Sequence, residues 1–211
     1  MFAKYAHYYD LFNRDKPYKD EIEFVYQWAD KPKSIFDIGA GTGNYWWHYP
    51  KGTDIFGIDK SRDMAHQNKN IVCGDITHYK HSKERFDCAT ALFDVLNYIQ
   101  KHDWWKNIPV SPGGFFIFDV WSKEKVDKEG FKETWKEVQG IGRNISLIKY
   151  DGQTVDLKIE LFSEVGKFSE EHHRMYLYSR SAIERFCGDE FEIVDVKPTK
   201  RWQTWYKCKR K

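Results

Sequence analysis

The clearest structural signal in this chain is the stretch at residues 34–45, which reads SIFDIGAGTGNY. An apolar strand runs into Asp37, and glycines then recur at every second position, at Gly39, Gly41 and Gly43. A glycine-rich turn between a strand and helix-forming residues lets a ligand lie against bare backbone. The spacing GxGxG differs from the GxGxxG typical of dinucleotide sites, and no GKS or GKT marks a P-loop.

Short apolar runs separated by helical or loop segments continue along the first 120 residues. They are interpreted as strands at Ser34–Ile38, Ile55–Ile58, Ile71–Cys73, Phe86–Leu92 and Phe115–Val120. Strands that alternate with such segments are typical of βαβ units and a parallel sheet. Ahead of them, residues 3–29 carry apolar side chains at helical spacing, and Pro17 predicts a break into two helices.

The pattern changes after Trp121. Residues 133–178 contain alternating stretches, and the Asp-Gly pair within Tyr150–Gln153 predicts a hairpin. We therefore predict a single domain over residues 1–211, in which residues 122–178 form an inserted antiparallel sheet that acts as a lid. A short helix at Ser181–Phe186 and strands at Phe191–Val196 and Trp202–Cys208 are predicted to follow.

Two further acidic residues end the strands that follow the glycine-rich turn. Asp59 ends the second strand, 22 positions after Asp37, and Asp75 ends the third. A carboxylate at the end of the second strand can accept hydrogen bonds from both ribose hydroxyls of an adenosine. The carboxylate of Asp75 is placed to accept from the exocyclic amine of adenine. Because ligands of open α/β sheets bind at this edge, we expect an adenosine-containing ligand there.

In combination these motifs resemble the class I S-adenosylmethionine-dependent methyltransferases. The match comprises IFDIGAGTG, GIDKSRDM, CGDIT, RFDCATALFDVLNYI and PGGFFIFDVW. Two outer segments are similar to the small-molecule branch, which includes nucleotide-sugar amine N-methyltransferases and glycine N-methyltransferase-like enzymes: YAHYYDLFNRDKPYKDEIEFV and EEHHRMYLYSRSAIERF. The resemblance implies an α/β fold with a Rossmann-like seven-stranded sheet, mostly parallel with an antiparallel last strand.

The resemblance also implies S-adenosylmethionine as the cofactor. It assigns Asp37 and the glycine turn to the methionine moiety and the turn geometry, Asp59 to the ribose, and Met64 to packing on the adenine. Residues 1–30 are expected to form a helical cap over the cofactor. The predicted cofactor-binding residues are Tyr9, Tyr18, Asp37, Gly39, Gly41, Gly43, Asp59, Lys60, Met64, Asp75, Ile76 and Leu92.

Methyl transfer requires in-line alignment, exclusion of water and removal of a proton from the acceptor. The predicted catalytic residues follow the fourth and fifth strands or lie in the lid: Tyr98, Asp94, Asn97, Asp119 and His173. A structural role is the alternative for each, such as a helix cap for Asp94 or a core ring for Tyr98. His172 precedes an alternating stretch and is expected to point away from His173. Some amino-sugar methyltransferases carry His where this sequence has Tyr98, so the acceptor stays open.

The composition excludes several classes of function. The 211 residues include 34 Lys+Arg and 32 Asp+Glu, so the net charge is +2 and no chain-wide field favours a polyanion. Four cysteines without a CxxC pair indicate neither a zinc site nor a disulfide framework. The HxxH of His78 and His81 is interpreted as lysine-rich surface, so no metal is predicted. Without a bilayer-length apolar run or a signal-peptide pattern, we expect a cytoplasmic protein with no membrane partner.

The favoured function is methyl transfer to a nitrogen or oxygen of a small molecule, with nucleotide-linked sugars among the acceptors considered. The alternatives are a nucleic-acid (RNA) methyltransferase and a non-catalytic S-adenosylmethionine-binding domain. No Asn/Asp-Pro-Pro-aromatic signature follows the fourth strand, which disfavours nucleic acid. The basic C-terminus KPTKRWQTWYKCKRK is interpreted as an edge strand protected by lysines rather than as a stacking surface. A homodimer, if one forms, is expected to pair through the inserted sheet.

Overall fold

The structure is a computed structural model that describes residues 4–80, 86–100, 103–199 and 202–211. Within these residues the strands form a larger and a smaller sheet. The strands of the larger sheet are β1 (Ser34–Ile38), β2 (Asp54–Asp59), β3 (Ile71–Cys73), β4 (Phe86–Ala91), β5 (Val110–Trp121), β10 (Phe191–Pro198) and β11 (Gln203–Arg210). The strands of the smaller sheet are β6 (Thr134–Val138), β7 (Ile141–Tyr150), β8 (Thr154–Ser163) and β9 (Gly166–Tyr176).

The larger sheet has the strand order β10-β11-β5-β4-β1-β2-β3. Strands β1 to β5 pair in parallel, whereas β11 runs antiparallel to both β5 and β10. The predicted fold class, a mostly parallel seven-stranded sheet with an antiparallel last strand, is confirmed. Because β1, β2, β4 and β5 run in one direction, their carboxyl ends meet at one edge of the sheet.

Helices flank this sheet. The α-helices are α1 (Tyr9–Asn13), α2 (Tyr18–Trp28), α3 (Arg62–Ala65), α4 (Lys123–Glu129) and α5 (Arg180–Cys187), and short 3-10 helices cover Lys4–Tyr8, Asn44–His48, Val95–Tyr98 and Asp103–Asn107. The predicted break at Pro17 separates α1 from α2. After the glycine turn only a 3-10 helix forms, because Tyr49 takes an extended conformation ahead of Pro50. None of these helices is long and apolar enough to span a bilayer.

Apolar side chains cover both faces of the larger sheet. Helix α2 buries Ile22 and Val25 in a cluster with Ile35 and Ile117. A second cluster contains the buried rings of Trp104, Trp105, Phe116, Phe118 and Phe191. Aromatic residues make up 18% of the sequence, and many of their rings thus fill the core, which holds the strand ends in fixed positions.

The smaller sheet has the order β6-β7-β8-β9, and all its pairs are antiparallel. The predicted hairpin joins β7 to β8. One part of the sheet packs against Tyr5 and Phe12 of the N-terminal segment, through side chains that include Ile159. Another part, which includes Met175, packs beside Tyr98. The smaller sheet therefore touches both the N-terminal segment and the loop after β4, while its roles as lid and homodimer surface stay predictions.

Candidate active site

The glycine-rich turn after β1 brings bare backbone against its neighbours. Gly39 has a φ of +67°, and its N–H donates to the carbonyl of Ile58 at 2.8 Å. A Cβ at Gly39 would lie 2.5 Å from a methyl carbon of Val95, so a larger residue would displace that side chain. Gly41 also has a positive φ, +60°, and a Cβ there would meet open space. The turn therefore needs glycine for its backbone conformation and for close packing.

Asp59, at the end of β2, is tied to this turn. Its Oδ2 accepts from the Gly41 N–H at 2.8 Å, and its Oδ1 accepts from the Ser61 N–H at 2.7 Å. Burial raises the pKa of Asp59, and the two backbone N–H groups act against that shift. The two hydrogen bonds fix the carboxylate, and each oxygen retains a lone pair for a hydroxyl donor.

Asp75, which follows β3, is held by two neighbours. Its Oδ1 accepts from the backbone N–H and the hydroxyl of Thr77 at 3.0 and 2.7 Å. Its Oδ2 lies 2.7 Å from the ammonium of Lys60. Burial acts to raise the pKa of Asp75, but the hydrogen bonds from Lys60 and Thr77 outweigh it and lower the pKa. Asp75 is thus a carboxylate at neutral pH, suited to accept from an amine.

The glycine turn, Asp59 and Asp75 border one cavity of about 530 Å³, which is within the usual range for small-ligand sites. The predicted residues that line it are Tyr9, Gly39, Gly41, Asp59, Lys60, Met64, Asp75, Ile76, Leu92 and Tyr98. Unpredicted lining residues include Ile58, Thr77, Phe93, Val95 and Ile99. Exposed His78 also borders the cavity, whereas His81 lies outside the described residues.

Three predicted cofactor residues are not among those that line the cavity. Gly43 closes the turn with a φ of +81°, and a Cβ there would lie 2.5 Å from the amide nitrogen of Asn68. Tyr18 packs edge-on against Tyr45, with ring centroids 4.9 Å apart. Asp37 is buried, and its carboxylate accepts from the Thr90 hydroxyl and from the indole N–H of Trp46, both at 2.8 Å. Direct contact of these residues with a cofactor stays a prediction.

We expect Asp37 to make stability depend on pH. Burial raises its pKa from 3.8 to about 6, although the hydrogen bonds from Trp46 and Thr90 act against the shift. The folded state then holds the proton more tightly than the unfolded chain, so ionisation costs stability as the pH rises from about 4 to about 6. Two pKa units correspond to about 3 kcal/mol.

Denaturant unfolding of the wild type and of Asp37→Asn across this pH range measures the effect. The wild type should lose about 3 kcal/mol of unfolding free energy relative to the variant between about pH 4 and about pH 6. A difference between the two proteins that stays constant with pH would contradict the assignment.

Of the predicted catalytic residues, Tyr98 is the one whose side chain borders the cavity in the described structure. The buried His173 lies behind it, with its Nδ1 3.4 Å from the Tyr98 hydroxyl. His172 points away, as predicted: its imidazole is exposed and lies 3.0 Å from Glu170. The structure therefore brings together one residue from the loop after β4 and one from β9.

Asp94 and Asp119 form a buried carboxyl pair behind the cavity wall. Asp119 accepts from the backbone N–H groups of Phe93 and Asp94 at 2.6 and 3.1 Å. Burial and the adjacent Asp94 raise the pKa of Asp119 well above its ordinary value. Phe93 and Asp94 both have positive φ, 68° and 66°, which is uncommon for residues other than glycine. Asp119 thus holds a strained turn that presents Phe93 to the cavity.

Asn97 joins three elements. Its Oδ1 accepts from the Trp121 N–H at 2.9 Å, at the end of β5. Its Nδ2 donates to the carbonyl of Tyr176 at 2.7 Å, at the end of β9. These bonds fix the 3-10 helix that carries Tyr98, so the contacts of Asn97 indicate a positioning role, and the predicted catalytic role stays a prediction.

A cluster around Lys16, which the sequence reasoning missed, joins the N-terminal segment to the cavity wall. The ammonium donates to the Tyr45 hydroxyl at 2.6 Å and pairs with Glu21. It lies 4.7 Å from the ring centroid of Phe93 and also over the rings of Tyr18 and Tyr45. Cation–π contacts and a half-buried ion pair therefore fix residues 16–21 against Phe93.

Replacement of Lys16 by methionine is expected to lower the free energy of unfolding by about 1–3 kcal/mol, because Glu21 loses its ion pair and three rings lose a cation. The loss should stay below that for a fully buried pair, since the Glu21 side chain is 25% exposed. Lys19→Met, at an exposed position of α2, is the matched control for charge. Equal stability of the two variants in denaturant unfolding would contradict the role of the cluster.

The sequence profile of a family described as "Methyltransferase domain" matches residues 5–189. The chain belongs to this methyltransferase family. The match spans the glycine turn, Asp59, Asp75 and the smaller sheet. It confirms the resemblance that the motifs indicate. A comparison with curated protein sequences gives no match.

Solved structures agree with this methyltransferase fold over nearly the whole chain. An S-adenosylmethionine-dependent methyltransferase from Clostridium acetobutylicum has a TM-score of 0.79 and 21% identity, with 98% of each chain covered. The amino pentose methyltransferase CalS10 from Micromonospora echinaspora has a TM-score of 0.77 and 15% identity, with 100% of this chain and 98% of that chain covered. The sugar N-methyltransferase KedS8 from a Streptoalloteichus species has a TM-score of 0.75 and 18% identity, with 96% and 93% covered. At such identities the likeness establishes the fold alone.

The cofactor of this methyltransferase is S-adenosylmethionine, and the cavity residues fit it. Gly39 and Gly41 line the cavity, and a Cβ at Gly41 would meet open space, so bare backbone is available there for the methionine part. Asp59 would hold the ribose hydroxyls, and the Asp75 carboxylate would accept from the adenine amine. Met64, which is buried and lines the cavity, supplies an apolar surface for the adenine ring.

Proposed function

We propose that this methyltransferase acts on a nitrogen or oxygen of a small-molecule acceptor, with nucleotide-linked amino sugars as the first class to test. The observation that carries the proposal is a cavity of small-molecule size that is bordered by two segments outside the larger sheet. Tyr9 of the N-terminal segment and Tyr98 of the loop after β4 both line it. A small molecule fits such a space more readily than a folded polymer.

Hydrogen bonds fix the N-terminal segment over the cavity. The Tyr5 N–H donates to Glu171 of β9 at 2.9 Å, and Arg143 of β7 donates to the Tyr5 hydroxyl at 2.7 Å. The Thr42 hydroxyl, within the glycine turn, donates to Asp10 at 2.8 Å. The segment is thus attached to the smaller sheet and to the glycine turn of the larger one. An RNA substrate would require these contacts to open, and this favours a small acceptor.

The protein's own residues have three tasks: to exclude water, to face the positively charged sulfur, and to help the acceptor lose a proton. When bound, S-adenosylmethionine supplies a methyl group already activated on a positively charged sulfur. The rings of Tyr9 and Phe93, with centroids 6.3 Å apart, line the cavity, exclude water and can face a cation. Tyr98 offers a hydroxyl near which an acceptor N–H or O–H can lose its proton.

Two of the similar structures support the choice of acceptor class. CalS10 is described as an amino pentose methyltransferase and KedS8 as a sugar N-methyltransferase. Both match this chain along nearly its full length, including the smaller sheet. Amino sugars linked to a nucleotide are therefore the first acceptors to test.

A release assay for S-adenosylhomocysteine tests the proposal. One arm contains amino sugars, nucleotide-linked amino sugars, amino acids and hydroxylated aromatics, and the other contains total RNA. We expect turnover with one or more small molecules, with Asp59→Ala as the inactive blank. Release of S-adenosylhomocysteine with RNA alone would replace the proposal with RNA methylation, and cofactor binding without release in either arm would favour a non-catalytic domain.

A further inference from the structure

Three polar side chains lie in a line that starts at the cavity. Tyr98 borders the cavity, and its hydroxyl lies 3.4 Å from Nδ1 of His173. The other imidazole nitrogen, Nε2, lies 3.4 Å from Oε2 of Glu171. The second oxygen of Glu171 accepts from the backbone N–H of Tyr5 at 2.9 Å. The carboxylate is thereby held in a fixed direction toward His173.

The exposed fraction of the side chain rises from His173 to Glu171. The imidazole of His173 has no exposed surface, whereas the Glu171 side chain is 11% exposed. Burial lowers the pKa of His173 although Glu171 acts against the shift, so the imidazole is neutral at neutral pH. A neutral imidazole can accept a proton on one nitrogen and donate from the other. The line therefore connects the cavity to a carboxylate that reaches solvent.

We propose that Tyr98, His173 and Glu171 form a proton relay that removes the acceptor's proton from the cavity. This inference rests on the proposed function, since an amine or hydroxyl acceptor releases one proton for each methyl group it gains. The acceptor proton passes to the Tyr98 oxygen while the phenolic proton passes to His173 Nδ1. The proton on Nε2 passes to the Glu171 carboxylate. The net change is one proton moved from the acceptor to Glu171, which water can then deprotonate.

The relay fixes the tautomer of His173 in the resting protein. The Glu171 carboxylate beside Nε2 favours a proton on that nitrogen, because an unprotonated Nε2 would face the carboxylate with no donor between them. Nδ1 is then the acceptor for the Tyr98 hydroxyl. A side chain that served packing alone would have no such requirement. Tyr98 touches the acceptor in this scheme, and His173 and Glu171 are positioning residues that act through it.

Nitrogen NMR of ¹⁵N-histidine-labelled protein, saturated with S-adenosylhomocysteine, tests the arrangement without any acceptor. We expect the His173 signals of the Nε2–H tautomer in the wild type. Tyr98→Phe should shift the Nδ1 signal, and Glu171→Gln should change the tautomer population, while His172→Gln should leave the His173 signals in place. An Nδ1–H tautomer in the wild type would overturn the relay, and so would His173 signals that are unchanged in both Tyr98→Phe and Glu171→Gln.

Kinetics with an acceptor from the small-molecule arm test the same relay during turnover. Tyr98→Phe and Glu171→Gln should each lower kcat by about 100-fold, the lower end for proton-transfer groups, with KM for S-adenosylmethionine unchanged. The double variant should be no slower than either single variant, because both interrupt one path. Additive losses, or a kcat within twofold of the wild type, would overturn the relay. If no small molecule is methylated, the proposed function fails. The NMR result still shows whether Tyr98, His173 and Glu171 are hydrogen-bonded in the order that the relay requires.

Discussion

Asp59→Ala is expected to weaken S-adenosylmethionine binding by about 100- to 10,000-fold. The carboxylate would accept both ribose hydroxyls, and hydrogen bonds to a charged group contribute about 1.5–3 kcal/mol each. The change also removes the acceptor for the Gly41 and Ser61 N–H groups, so the turn loses its anchor. Isothermal titration with S-adenosylmethionine measures the loss.

Two further variants separate the charge from the fold. Asp54→Ala removes an exposed carboxylate at the other end of β2 and should bind as the wild type does. Asp59→Asn keeps one acceptor oxygen for the turn and loses the charge, so its affinity should lie between those of the wild type and Asp59→Ala. Undiminished binding by a folded Asp59→Ala protein would contradict the ribose assignment.

Gly39→Ala is expected to weaken cofactor binding on the order of 100-fold. The new Cβ would lie 2.5 Å from Val95, a residue that lines the cavity, and the φ of +67° disfavours any residue with a Cβ. The displaced Val95 side chain would take space within the cavity. Titration of the variant with S-adenosylhomocysteine measures the loss.

The double variant Gly39→Ala/Val95→Ala isolates the steric part of this effect. It should recover about tenfold of the affinity, because the methyl carbons at 2.5 and 2.6 Å are gone, while the Cβ of residue 95 at 3.1 Å and the backbone strain of about 1–2 kcal/mol remain. Gly52→Ala, with a φ of +93° and open space around its Cβ position, should lose stability without losing affinity. A double variant that binds no better than Gly39→Ala would contradict the proposed clash.

Local sequence patterns predicted much of the fold because they record local geometry. Each of these patterns lies within a single βα unit: the apolar strand runs, the glycine spacing, and the acids Asp59 and Asp75. Because successive strands run in the same direction, their carboxyl ends lie at one edge of the sheet. The hairpin at residues 150–153 is likewise a short-range signal. The helix-forming residues after Gly43 form one short 3-10 helix, since the extended conformation of Tyr49 before Pro50 ends it.

The acceptor side depends on contacts between distant residues, which spacing does not encode. Asn97 bonds to Tyr176, 79 positions away, and Tyr5 bonds to Glu171, 166 positions away. Phe93 borders the cavity because Asp119 stabilises a left-handed backbone that its own sequence does not favour. Local sequence patterns therefore identified Tyr98 and His173 as candidates. They did not identify Glu171, which lies beside the Nε2 atom of His173.

A crystal structure with S-adenosylhomocysteine tests the central assignment most directly. The predicted result has both ribose hydroxyls within hydrogen-bond distance of the Asp59 carboxylate and the adenine amine at Asp75. The sulfur should lie on the side of the cavity bordered by Tyr9, Phe93 and Tyr98. A ligand bound outside this cavity, or one whose ribose makes no contact with Asp59, would contradict the account.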